Sequence, residues 1–171
     1  MQTAICPGSF DPVTNGHQDI IERAAKIFSK VVVAVLENPS KTPLFSVDER
    51  SQMLYTVLRH LPNIQVKHFS GLLVNFAAQN NARIIIKGLR AISDFEIEFQ
   101  MAMINKYMFP ELETMFMMTK NEYSYLSSSL VKELASFGAN IKGLVDPHVE
   151  ERLREKIAKL KAASEASGNI R

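Results

Sequence analysis

The chain has 171 residues, 46% hydrophobic and 22% charged, the composition of an ordinary globular domain large enough to bury a core of its own. Twenty Lys and Arg against eighteen Asp and Glu leave a net charge of +2, too weak a field for non-specific DNA or RNA binding, so no nucleic-acid partner is expected. One cysteine, Cys6, excludes a disulfide framework, and neither a basic leader before an apolar stretch nor an apolar run near the ~20 residues that span a bilayer is seen, so a cytoplasmic protein without membrane contact is expected.

Taken in chain order, short β-branched runs alternate with stretches of helical period. Strands are predicted at 3–6, 31–36, 64–69, 83–86 and 114–118, several of them apolar throughout, which suits strands covered on both faces of a parallel sheet. The first helix carries the stripe Ile20, Ile21, Ala24, Ala25 and Phe28. A second opens at a capping box, Ser46 with Glu49, and turns Met53, Leu54, Val57, Leu58 and Leu61 inward. A weaker helix is expected over 72–79. Ser93 with Glu96 repeats the capping box before a long helix that Pro110 ends, and a further helix over 128–137 has Gly138 as its C-cap. Asp146-Pro147 begins a last helix with Val149, Leu153, Ile157 and Leu160 on one face. One domain is expected over 1–163, with 164–171 a disordered tail.

Five strands alternating with helices predict an α/β, doubly wound five-stranded parallel sheet with an extra C-terminal helix. Ligands of such sheets gather at the carboxyl ends of the strands, which singles out the loops 7–16, 37–44, 70–71, 87–92 and 119–129. The first is the most informative: Pro7-Gly8-Ser9-Phe10-Asp11-Pro12-Val13-Thr14-Asn15-Gly16-His17 runs from a strand into a helix. His17 falls in the first helical turn, among free N–H groups and the positive end of the macrodipole, where an imidazole N–H can join an anion site. A plainer reading is a loop that only caps the helix through Thr14 or Asn15. Neither a dinucleotide fingerprint nor a P-loop is present. His60, His68 and His148 lack metal-ligand spacing, and no metal held by protein side chains is expected. Cys6 reads as a small buried residue, and Met115, Met117 and Met118 as core or subunit contact.

Gly8-Ser9-Phe10-Asp11-Pro12 with Thr14-Asn15-Gly16-His17 resembles the T/H-x-G-H motif of the nucleotidyltransferase superfamily. Ser127-Ser128-Ser129-Leu130-Val131-Lys132 is similar to its second signature, and Lys87-Gly88-Leu89-Arg90-Ala91-Ile92-Ser93-Asp94-Phe95-Glu96 to a stretch of its bacterial phosphopantetheine adenylyltransferase family. The resemblance runs in order from Ala4 to about Glu155. It implies a Rossmann-like fold and transfer of the adenylyl group of ATP to 4′-phosphopantetheine, with Mg2+ carried on ATP and a homohexamer. It implies that His17 stabilises the α-phosphate and that Lys41 reaches both the α-phosphate and the attacking phosphate. Ser9, Phe10, Gly88, Leu89, Arg90 and Glu98 would hold the nucleotide, and Tyr123, Ser124, Tyr125, Leu126, Ser127, Ser128 and Ser129 would close around adenine and the outer phosphates. Ser9, Lys41, Leu73 and Lys87 would meet phosphopantetheine. Three positions depart from relatives: Ser9 for Thr, Lys87 for Arg, which removes a bidentate fork, and Tyr123 for Trp. Superfamily branches that make dinucleotide precursors, or activate phosphorylated alcohols with CTP, show His where Thr14 stands. A non-catalytic sensing module on the same scaffold would tolerate loss of His17 or Lys41.

Overall fold

The computed structural model describes residues 2–38, 42–90 and 92–168. The elements follow in the order β1 (Thr3–Gly8), α1 (Asn15–Ile27), β2 (Lys30–Glu37), α2 (Val47–Leu58), β3 (Ile64–Ser70), α3 (Leu73–Gln79), β4 (Ile84–Leu89), α4 (Ile92–Met108), β5 (Glu113–Met118), α5 (Ser128–Ser136) and α6 (Pro147–Gly168), with one 3-10 turn over Asn121–Tyr123. The strands pair in parallel in the order β3-β2-β1-β4-β5. The chain thus winds outward from β1 in one direction to β3, returns, and continues from β4 in the other. That reversal opens a crevice at the carboxyl ends of β1 and β4.

The apolar runs account for two layers. One core, against α1, α2, α5 and α6, takes Ala4, Cys6, Val31, Val33, Val35 and Ile86; the other, against α3 and Phe109, takes Ile5, Val32, Ala34 and Ile85. Alternate residues of a strand face opposite sides, so β1 and β2 need apolar side chains at nearly every position. Ile20, Ile21 and Ala24 of α1 are buried as their spacing requires, and Ser46 and Glu49 form the expected capping box at α2. Cys6 is buried and its thiol is pushed up to about 12, burial outweighing the nearby Lys87 charge.

Several boundaries differ from expectation for physical reasons. β4 continues through Lys87, Gly88 and Leu89, read above as loop, because these residues pair with Phe116, Met117 and Met118 of β5. The ladder holds them extended regardless of their polarity. α4 already begins at Ile92, so Ser93 lies inside its first turn rather than preceding it. The stripe of α6 is buried at Val149 and Leu153, but Leu160 is exposed. α6 runs on through Gly168, inside the stretch expected to be a disordered tail; residues 169–171 lie outside those described. Met117 packs against the first core while Met115 and Met118 are exposed.

Candidate active site

The β1 loop is built around an unusual N-cap. Thr14 caps α1, and the N3 position, where a capping box ordinarily places Glu or Gln, holds His17. The Thr14 backbone N–H donates to His17 Nδ1 at 3.0 Å, and the Thr14 hydroxyl lies 3.0 Å from the same nitrogen. A nitrogen that accepts from a backbone N–H bears no proton, so the proton of the neutral imidazole sits on Nε2. Burial, then the charges of Arg90 and Lys87, push the His17 pKa down to about 4. The ring is therefore neutral near pH 7, a fixed N–H donor with two cations nearby.

Phe10 sets the other side of the ring. It is buried in the left-handed region (φ 50°), edge-on to His17 with centroids 5.2 Å apart. Gly8 makes room for it: a Cβ there would stand 2.8 Å from Phe10 Cζ.

The depressed His17 pKa makes stability depend on acidity. Between pH 7 and 5 the unfolded His17, titrating near its usual value, binds a proton that the folded one does not, so stability falls as pH falls through that window, by up to about 2 kcal/mol. Denaturant melts of wild type and His17→Gln at the two pH values check this: the variant should lose correspondingly less on acidification, and equal losses would contradict the assignment.

A carboxylate and a guanidinium frame the loop. Asp11 is buried; its Oδ1 accepts the Phe45 N–H (2.9 Å) and its Oδ2 the Leu44 N–H (3.0 Å) and Lys132 Nζ (2.7 Å). Burial opposes its ionisation, but Lys132 and the two backbone N–H groups outweigh burial and hold the carboxyl below its usual range. Arg50, also buried, donates to the carbonyls of Phe45 (3.1 Å), Ser46 (3.3 Å), Ser9 (2.7 Å) and Leu36 (2.9 Å). Asp11, Arg50, Ser9, Asn38, Thr42, Pro43, Ser128, Ser129 and Lys132 are among the residues lining a cleft of about 200 Å3. Arg50 is not singled out by the sequence. Asp11 and Lys132 lie inside the quoted motifs; Arg50 reads as an ordinary helix-surface charge.

The other expected residues fall into three groups. Lys87 and Glu98, expected on different substrates, form an ion pair with each other at 3.0 Å. Leu73 opens α3 and packs against the second core, on the same sheet face that receives Ile85 and, by alternation, Lys87. Gly88 faces the opposite way, its Cβ position 3.1 Å from Ile20 of α1, so it serves close strand–helix packing. Leu89 and Leu126 are buried, and their carbonyls accept from Thr119 and Arg90 respectively. Arg90 thereby ties the end of β4 to the segment before α5. Tyr123 packs over Gly16 while Ser124 and Tyr125 are exposed. Ser127 caps α5, Ser128 donates to the Pro12 carbonyl (2.7 Å), and Ser129 lines the cleft. Lys41 lies outside the described residues.

A family model described as Cytidylyltransferase-like matches residues 5–134. The chain is 56% identical over 159 residues to "Phosphopantetheine adenylyltransferase" of Carboxydothermus hydrogenoformans, covering 93% of this chain and 98% of the relative. Proteins of the same name from Dictyoglomus turgidum and Symbiobacterium thermophilum are each 57% identical, covering 91% and 93% of this chain and 98% of each relative. Among solved structures, a putative nicotinate-nucleotide adenylyltransferase from Vibrio parahaemolyticus superposes with a TM-score of 0.67 at 19% identity, over 92% of this chain and 95% of that one. A bifunctional NMN adenylyltransferase/ADP ribose pyrophosphatase from Francisella tularensis, complexed with AMP and a manganese ion, does so at 0.65 and 18%, over 96% of this chain and 53% of that one. At those identities the two structures speak to the fold alone.

Proposed function

This chain belongs to the phosphopantetheine adenylyltransferase family, and from that premise we propose that its crevice transfers the adenylyl group of ATP to the phosphate of 4′-phosphopantetheine by direct in-line displacement. The products are dephospho-coenzyme A and pyrophosphate. An acceptor phosphate oxygen bonds to the α-phosphorus as the bond to the β-phosphate bridge breaks. Such a transfer demands alignment of two anions and neutralisation of the charge that grows between them, and needs no protein nucleophile.

The observation that carries the reading is the His17 tautomer. With Nδ1 engaged by Thr14, Nε2–H is the group free to donate to a non-bridging α-phosphate oxygen, and a neutral donor strengthens its bond as charge develops there. Arg90 and Ser127–Ser129 are suited to the outer phosphates, Tyr123 to the base, and Ser9 to either substrate. Lys41 is proposed on both phosphates at the reacting centre. Mg2+ enters as part of the nucleotide substrate. Its coordination is proposed to come from triphosphate oxygens and water.

Lys87, held by Glu98 on the Leu73 side of the sheet, is proposed to meet the acceptor. Lys87→Ala is expected to raise the acceptor KM about tenfold, the worth of one charge-assisted hydrogen bond, with ATP affinity nearly unchanged. Calorimetric titration of phosphopantetheine checks it; wild-type affinity in the variant would confine Lys87 to its pair with Glu98.

Assembly into a homohexamer is proposed as well. α4 exposes Phe95, Ile97, Phe99, Met103, Ile104 and Tyr107, a concentration of large apolar side chains that a second copy of the chain could cover. A cytoplasmic location is proposed; no helix among the described residues is long and apolar enough to cross a membrane. The functional reading is tested by mass spectrometry of reactions containing ATP or CTP with a panel of acceptors: phosphopantetheine, nicotinate mononucleotide and glycerol phosphate. Mass gain of an adenylyl group on phosphopantetheine alone is expected. Transfer to another acceptor in its place would overturn the assignment.

A further inference from the structure

The cleft beside the β1 loop has two walls from distant parts of the chain. Thr42 and Pro43 supply one, Ser128, Ser129 and Lys132 of α5 the other. No strand pairing joins these walls. Asp11 spans the gap between them: its carboxylate takes the backbone N–H groups of Leu44 and Phe45 on one side and the Lys132 ammonium on the other, and the next carbonyl, of Pro12, takes the Ser128 hydroxyl. Three donors converge on two oxygens with almost no solvent, so the bracket is rigid and fully satisfied.

We propose that Asp11 is a positioning residue for the transfer, fixing the β1 loop between the two walls so that His17 on that loop and the serines at the amino end of α5 meet their phosphates in line. The inference rests on the functional reading above. In-line displacement is sensitive to this placement: a misplacement of about 1 Å costs on the order of 100-fold in rate while leaving each substrate's own contacts intact. Asparagine at this position cannot reproduce the bracket. Its amide offers one acceptor atom, and its NH2 must face either the Phe45 N–H or the Leu44 N–H together with the Lys132 ammonium, so in either orientation a donor meets a donor and the bracket shifts.

The test uses the full-length protein with MgATP and phosphopantetheine. For Asp11→Asn, ATP affinity and stoichiometry are measured by calorimetry and kcat at saturating substrates, well below the melting temperature. Expected are a kcat per ATP-binding site at least about 30-fold below wild type and both KM values within about threefold. A kcat per ATP-binding site within twofold of wild type would overturn the proposal, leaving Asp11 a strut for stability. Parallel loss of ATP binding and turnover would overturn it too. Should Asp11→Asn not fold, Lys132→Met keeps the carboxylate and both backbone donors. It should lower kcat about fivefold with unchanged KM values, with Lys132→Arg restoring most of it, and wild-type kcat in Lys132→Met would overturn the proposal. A wild type that makes no product would refute the functional reading itself, and this inference with it.

Discussion

Replacing His17 with alanine should lower turnover by about 100- to 1,000-fold, the equivalent of ~3–4 kcal/mol of transition-state stabilisation, while ATP still binds. The size follows from the state of the ring. Nδ1 is held by the Thr14 N–H, burial and two neighbouring cations keep the imidazole neutral, and Nε2–H is aimed by that arrangement before substrate arrives. A donor fixed in advance pays no reorganisation during reaction, and it binds a growing charge better than a resting one. Steady-state kinetics with ATP titration separate the two effects. Retention of more than about a tenth of wild-type turnover would remove His17 from the reacting centre. Because the ring of the free protein is neutral down to about pH 4, kcat/KM should show no limb from His17 near pH 6.5.

Arg50→Met should be the most damaging change to stability, costing about 3–5 kcal/mol and lowering the melting temperature by roughly 10 °C. Methionine matches the aliphatic stem, so little packing is lost. What is lost is a buried guanidinium whose donors serve four carbonyls from three separate segments: Ser9 after β1, Leu36 at the end of β2, and Phe45 and Ser46 before α2. The Ser46 carbonyl keeps the residue-50 backbone N–H, but the side-chain donors to Ser9, Leu36 and Phe45 are not replaced. Thermal melts followed by circular dichroism decide it; a melting temperature within about 2 °C of wild type would mean that water or a shifted backbone satisfies the carbonyls.

The contrast between these two residues shows what a single sequence makes legible. His17 sits in a compact local pattern, strand, glycine, N-cap, helix, and both its position and its role as an N–H donor can be read from neighbours within a few residues. The Ser46–Glu49 box and the stripe of α1 are legible for the same reason: period and capping are short-range. Arg50 and Asp11 act over separations of 41 and 121 residues, to Ser9 and Lys132 respectively, which no local pattern encodes. A helix-borne arginine looks solvent-facing until the fold turns it inward. The Thr14–His17 box stayed hidden because histidine replaces the usual Glu or Gln. Lys87 and Glu98, eleven positions apart, look like separate ligands until β4 and α4 bring them together. The end of β4 is not legible locally because residues 87–89 take their extension from hydrogen bonds with β5, not from their own side chains.

The direct displacement at the α-phosphorus is tested by stereochemistry. ATP carrying one sulfur of defined configuration on its α-phosphorus is turned over with phosphopantetheine, and the configuration of the thio-substituted product is determined. A single in-line step, aided by His17 with no protein nucleophile, gives inversion. Retention would mean two displacements through a nucleotidyl-enzyme and would contradict the account.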